Sequence, residues 1–300
     1  MDIRAQAQFL FEKYNDYMQE VQESFLSRVP STRDVYTEEF EREIGAYTDA
    51  ESDAFFTKPL AGFAFDTPAD FFASLQTLDE YLAVFSVAAE VSDVEPPRAF
   101  TDRLAGFGQE ATDRLLEMAL AESWEGDGTG QEDIPTSVPA AIRLLGKWRT
   151  ESSIVPILRH FCSAKSPDEY MADVIGDYAE DMGDRIVPEL RRILNETGSI
   201  PAGSAEESLL VALAKAGARH RTDETYDSMR AAFRKSERKV IGALCLGDYG
   251  DPRAVKLLKG YLERNRHDLG REMFYETLSV IRKLGGDISD IDDPFGDFQR

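Results

Sequence analysis

The sequence predicts an all-α protein: an α-solenoid of paired helices in the C-terminal half, preceded by an acidic helical N-terminal region. Three observations carry that expectation. Apolar residues recur every three to four positions along almost the whole chain, the period of a helix with one buried face. Beyond residue 137 the helical patterns shorten and come in pairs that repeat. Charge is also divided unevenly: the formal net charge is −22, and residues 1–130, with 27 acidic and 9 basic side chains, hold −18 of it.

Three hundred residues suit about two domains of ~150 residues each. Hydrophobic side chains at 42% and charged ones at 30% describe a folded globular chain. Cys162 and Cys245 are too few for a disulfide framework and read as buried thiols of a reducing compartment. The N-terminus MDIRAQAQFLFEKYNDY lacks the apolar core of a signal peptide. The longest apolar run, YLAVFSVAA at 81–89, is well short of the ~20 residues that cross a bilayer. A cytoplasmic protein with no membrane partner is therefore expected. Its acidic N-terminal half repels phosphate backbones, which disfavours nucleic acid as well.

In the first element Ile3, Ala7, Leu10, Tyr14, Tyr17 and Val21 form one apolar stripe, expected to pack on its own domain. Helical patterns follow over 32–56, 67–91 and 96–124, each read as one helix, and the acidic run EEFEREI at 38–44 reads as a solvated face. Prolines open the last two, where a missing N–H costs nothing, and Thr67 is placed to cap. Joining the first two patterns, AFFTKPLAGFAFDTPADFF (54–72) gathers Phe55, Phe56, Phe63 and Phe65 into a hydrophobic loop. A loop that apolar must be buried, either in the chain's own core or against a partner. Region 1–124 then ends in a Gly- and Asp-rich linker at 125–136.

The array spans 137–286. Its first helices are VPAAIRLLGKW, YMADVIGDYAEDM, AEESLLVALAKAG and ERKVIGALCLGDYG, closed by GREMFYETLSVIRKLGG. Its second helices open at IVPILRHF (154–161), IVPELRRIL (186–194), TYDSMRAAF (225–233) and AVKLLKGYL (254–262). Val155 to Val187 is 32 residues and Val187 to Val255 is 68, twice 34. A period of roughly 30–40 residues with two helices per unit is the mark of an α-solenoid. Residues 287–300, DISDIDDPFGDFQR, read as a polar tail.

The stretch LGDYGDPRAVKLLKGYL (246–262) joins a glycine-rich turn to a lysine-bearing helix. A Walker-type phosphate loop needs Gly, four spacers and Gly-Lys-Ser/Thr after a strand, and neither the order nor the strand is present. The physics favours a helical elbow instead. Gly250 takes the left-handed conformation, Asp251 caps the next helix with Pro252 in its first turn, and Arg253 braces against an acid of the adjacent repeat. Through Leu246, Gly247, Gly250, Asp251, Arg253, Ala254, Val255 and Leu258 the stretch resembles the HEAT-like repeat of the phycobilisome-lyase type. Gly183, Asp184, Arg185, Ile186, Val187 and Leu190 repeat the pattern, and the unit at 144–161 keeps only its apolar skeleton. The resemblance covers about 135–285 and implies second helices lining a concave face. The family's name implies one alternative, a lyase-like or cofactor-handling role. DNA-repair relatives of such arrays imply another, a nucleic-acid-binding solenoid, the least favoured at this charge.

Chemistry-bearing motifs are sparse. His160, His220 and His267 are isolated, with no Glu or His at helical ligand spacing. His160 and Cys162 stand at i and i+2, on different helix faces. SERK at 236–239 is a bare Ser-x-x-Lys, with Ser236 read as an N-cap. DGTG at 127–130 and DISDIDD at 287–293 fail the EF-hand order. No catalytic residue, cofactor or metal is assigned. What remains is a basic ridge on the second helices: Arg159, Arg191, Arg192, Arg230, Arg234, Lys256 and Lys259. It suits an acidic partner, although acids in first turns (Asp184, Asp223, Glu224, Asp251) and bases near helix ends are also what the macrodipole favours. The expectation is a non-catalytic scaffold that binds another protein through the inner face of the array.

Overall fold

The computed structural model describes residues 2–30, 33–91, 95–122, 124, 134–164, 168–196, 204–236 and 238–297. All regular structure among these is helical, fifteen α-helices and one 3₁₀ turn at Gly183–Arg185. Most of the expected linker, residues 125–133, lies outside the described residues, and the DGTG stretch with it. The chain divides into two compact units, one of residues 1–119 with 135–141, the other of residues 120–134 with 142–300.

The first unit contains α1 (Ile3–Leu26), α2 (Glu38–Thr57), α3 (Pro68–Ser74), α4 (Leu78–Val91), α5 (Arg98–Ala105) and α6 (Gln109–Ala119). Of the α1 stripe, Ala7, Leu10, Tyr14 and Val21 are buried within this unit together with Phe11 and Met18, Ile3 and Tyr17 are half-buried, and the helix packs on α4 and α2. A chain of aromatic rings fills the centre. Tyr14 lies 4.8 Å from Phe56, Phe56 5.5 Å from Phe72, Phe72 5.1 Å from Phe100, and Phe100 5.6 Å from Tyr81. The polar tips of the two tyrosines are satisfied, Tyr14 with Ser52 at 2.7 Å and Tyr81 donating to the Phe72 carbonyl at 2.8 Å.

Two expected single helices are each two. The 96–124 pattern breaks between α5 and α6, where Gly108 adopts φ +62°, a left-handed conformation that ends the helical run. The 67–91 pattern breaks after Ser74, because Thr77 and Glu80 start a new helix. Glu80 accepts from the Gln76 and Thr77 backbone N–H groups at 2.6 and 3.0 Å, and Thr77 Oγ1 accepts from Glu80 N at 3.3 Å. That Thr-x-x-Glu capping box was written in the sequence. Thr67 caps α3 as expected, reciprocally with Asp70.

Helix α7 (Ser137–Lys147) supplies residues to both units. The second unit continues with α8 (Glu151–Ser163), α9 (Glu169–Met182), α10 (Val187–Asn195), α11 (Ser204–Gly217), α12 (Asp223–Lys235), α13 (Lys239–Tyr249), α14 (Arg253–Arg264) and α15 (Arg271–Lys283). α9 packs on α11, α11 on α13 and α13 on α15, while α10, α12 and α14 pack on α11, α13 and α15 respectively. α13 sits so close to α15 that a Cβ on Gly247 would lie 3.0 Å from a methyl of Val280. α8 begins at Glu151, three residues before the opening expected at Ile154, so Pro156 lies inside it. Ser236 is the C-cap of α12, not an N-cap; the C-terminal carbonyls it follows are met by Lys239, which donates to Phe233, Arg234 and Ser236.

The elbow at Gly250 is as expected: φ +76°, ψ 23°, with its carbonyl accepting from Arg221 at 2.8 Å. In the α7–α8 turn, whose unit lost the Gly-Asp pair, Arg149 holds a left-handed φ of 52° without glycine's freedom. Opposite substitutions at these turns therefore have opposite signs. Gly250→Ala is expected to lower stability by about 1 kcal/mol, and Arg149→Gly to raise it by roughly 0.5–1 kcal/mol. Urea unfolding followed by circular dichroism reads both, as shifts of the midpoint with unchanged slope.

Candidate functional site

The ridge residues sit on α8, α10, α12 and α14, and two of them, Arg192 and Arg230, are engaged along their own helix. Arg192 donates to Glu189 at 2.6 and 2.9 Å and to Glu196 at 2.6 Å. Arg159 approaches the same carboxylate, and the Arg192 hydrogen bonds, aided by both positive charges, hold Glu189 below its ordinary range. Arg230 pairs with Asp227 at 3.0 Å. Arg191 is half-buried, its Nε without a hydrogen-bond partner, and its charge acts on Glu224 at the start of α12. Arg234 and Lys256 are exposed and in no ion pair among the described residues, whereas Lys259 reaches Asp290 of the C-terminal segment at 2.7 Å. The structure thus hydrogen-bonds Arg192 to Glu189 with the Arg159 charge also acting on that carboxylate, and brings Arg230 together with Arg253 around the Tyr226 ring, at 6.0 and 4.2 Å.

The predicted hydrophobic loop is part of its own unit. Phe55 and Phe56 belong to the last turns of α2 and are buried, so they are not loop residues. Phe63 stacks on Phe9 at 6.0 Å, and Phe63 and Phe65 lie 5.7 and 5.2 Å from Phe71, leaving both half-buried. The physical reason is reach: ten residues of connection between α2 and α3 lie over α1, whose Phe9 offers an apolar seat.

A ladder of contacts runs along the turns of the second unit. Arg185 reaches back to Glu151 at 3.3 Å and to the Arg149 carbonyl at 2.9 Å. His220 meets Asp184, and Arg253 meets Asp223 at 2.7 Å. Each time a basic side chain in or beside one turn finds an acid at, or just before, the start of the preceding second helix. Arg253 also forks onto Asp251, whose carboxylate accepts from the Arg253 backbone N–H at 2.9 Å. Sequence reading anticipated the Arg253 brace and missed Arg185 and His220; the second Gly-Asp pair with an arginine just after it, Gly183, Asp184 and Arg185, was the signal for the first.

Other chemistry is subdued. Burial pushes the Cys162 thiol up to about 11 and Cys245 up to about 12. His160 is edge-on to Trp124, with ring centroids 4.5 Å apart, and its Nε2 lies 2.8 Å from the Glu122 carbonyl. An open groove of about 440 Å³ in the first unit is floored by Leu82, Ala83 and Met118 and crossed by the Arg114–Asp79 pair at 3.0 Å. Among the described residues no cluster of three or more His, Cys, Asp or Glu can hold a metal ion, and no helix is long and apolar enough to cross a membrane. Comparisons with family models, with curated proteins and with solved structures find no match for the chain.

Two outcomes follow from these environments. Thiolate is the nucleophile, so alkylation of native protein by iodoacetamide at pH 8 should be at least about tenfold slower than in urea at both cysteines. Hydrogen bonds from Arg253 hold Asp251 below its ordinary range, so its contribution is fully present above the unfolded value of about 4 and is lost as pH falls through the folded value. Asp251→Asn should therefore lower the urea midpoint at pH 7, and that deficit should shrink at about pH 2.5.

Proposed function

We propose that residues 137–286 form a HEAT-like α-solenoid and that the protein is a non-catalytic scaffold, binding an acidic protein surface along its second helices. The observation that carries this is the recurrence of bases at the outward positions of α8, α10, α12 and α14, where Arg159, Arg192, Arg234 and Lys256 are all exposed. Three features support it. First helices from α9 onward stack in chain order, α10, α12 and α14 each pack on a first helix, and the turns repeat one basic-to-acidic rung. The ion pairs that engage the ridge do not disqualify it. Exposed pairs contribute only about 0–1 kcal/mol each, so a partner's carboxylates can replace the intrahelical ones with little loss.

Reversing charge at Arg191, Arg192 and Arg230, each to Glu, tests the reading in the full chain. Capture of specific partners from a lysate of the source cells, quantified by mass spectrometry, should fall at least about tenfold while helicity is retained. An unchanged set of captured proteins would remove the ridge from consideration.

A further inference from the structure

The acidic end of the chain is not loose. Residues 287–297 fold back on α14, on the turn that follows it and on α15. Asp290 meets Lys259 at 2.7 Å, Asp292 meets Arg266 at 3.0 Å, and Asp297 meets Arg271 at 3.3 Å. Between these, the Phe295 ring lies 5.7 Å from Phe274 and 6.1 Å from Tyr275, with the Arg271 guanidinium 5.5 Å above it. Asp293 ties the two features together: it accepts from the Tyr275 hydroxyl at 3.0 Å and from the Phe295 backbone N–H at 2.8 Å.

Two properties set this contact apart from ordinary core packing. None of residues 287–297 is buried, and the side chains of Asp290 and Asp292 remain 63% and 75% exposed, so the segment is held by weak, salt-screened pairs, the Tyr275–Asp293 hydrogen bond and the half-buried Ile288, Ile291 and Phe295. Such segments open at low free-energy cost. The receiving surface, in turn, is poorly arranged for stability alone. Arg271 is the first residue of α15, at the positive end of the helix dipole, where a base is unfavourable unless an acid meets it, and the Gly270 N-cap offers no side-chain cap.

We propose that Lys259, Arg266, Arg271, Phe274 and Tyr275 form a docking surface for acidic, phenylalanine-bearing peptides, occupied in this chain by its own displaceable C-terminal strap. The strap shows the recognition chemistry directly: carboxylates spaced to meet three cations, with a phenyl ring placed between Arg271 and Phe274. Tethering gives the strap a high effective concentration, so a free peptide of the same chemistry competes poorly until the strap is weakened. The surface shares Lys259 with the ridge but stands whether or not the ridge binds a partner.

The test uses the full chain and a fluorescein-labelled peptide of residues 286–297, followed by anisotropy. The wild-type chain is compared with a variant carrying Asp290→Lys, Asp292→Lys and Asp297→Lys, which turns the strap's charges against its seat. The variant is expected to bind the peptide at least about tenfold more tightly than wild type, with affinity falling as salt rises. Phe295→Ala in the peptide, or Arg271→Glu added to the variant, should abolish that gain. Equal affinity for the two chains, no binding by a variant of unchanged helicity, or full binding of the Phe295→Ala peptide would overturn the proposal. Loss of helicity in the variant would overturn it too, because the segment would then be part of the fold rather than a strap. Arg191, Arg192 and Arg230 are untouched throughout, so failure here leaves the ridge reading standing, and the reverse.

Discussion

In the second unit the structure depends on the burial of helices that are apolar on most of their circumference. α11 buries Leu209, Leu210, Ala212, Leu213, Ala214 and Ala216, and α13 buries Gly242, Ala243, Cys245, Leu246, Gly247 and Tyr249. A helix covered on so many sides needs neighbours on several sides. α11 has them: α9 before it, α13 after it, and α10 and α12 besides. The second helices have a narrower duty. α14 buries only Ala254, Leu258 and Leu262, a single i, i+4, i+8 row, which leaves the rest of its surface to charge. Polar contacts of the unit gather on the second helices, the turns and the C-terminal segment, and the first helices add a few at their exposed edges, such as Lys283 with Asp248.

That distribution gives the turns more weight than their few residues suggest. A first helix can slide along its neighbours without losing much apolar contact, because hydrophobic burial is non-directional. Register needs directional contacts, and the rungs from Arg185, His220 and Arg253 supply them at each turn. No single rung is strong, since the side chains are exposed and screened. Arg253 is the best placed, because it combines two carboxylates with the face of Tyr226. Arg149 makes the same point from the backbone. Its turn keeps a left-handed residue although glycine is gone, so the geometry is required by the packing on either side of it.

Much of this was legible one residue at a time. The α1 stripe, the Thr67 cap, the left-handed Gly250 and the five first helices of the second unit could all be read from spacing and side-chain chemistry. The failures share a cause. Segments 67–91 and 96–124 have apolar periodicity that runs through their breaks, and periodicity is insensitive to a two- or three-residue turn that preserves phase. Only local signals, the Thr77–Glu80 box and Gly108, mark the interruption. Ser236 was misjudged because a serine between two helices can serve either one. Lys239, reaching back to three carbonyls, reveals that it belongs to the first.

By itself the sequence determined the helical class, the lengths of most elements, the acidic surface and the identity of the buried faces, because these follow from residue chemistry within one or two turns. Only the tertiary structure decided the company each charged group keeps. Arg253 pairs with Asp223, Phe63 and Phe65 settle on their own unit, and Asp290, Asp292 and Asp297 fold back onto three cations. Ion pairs and ring contacts join residues that can be thirty or more positions apart, and no local pattern encodes which turn of which helix comes to lie beside another.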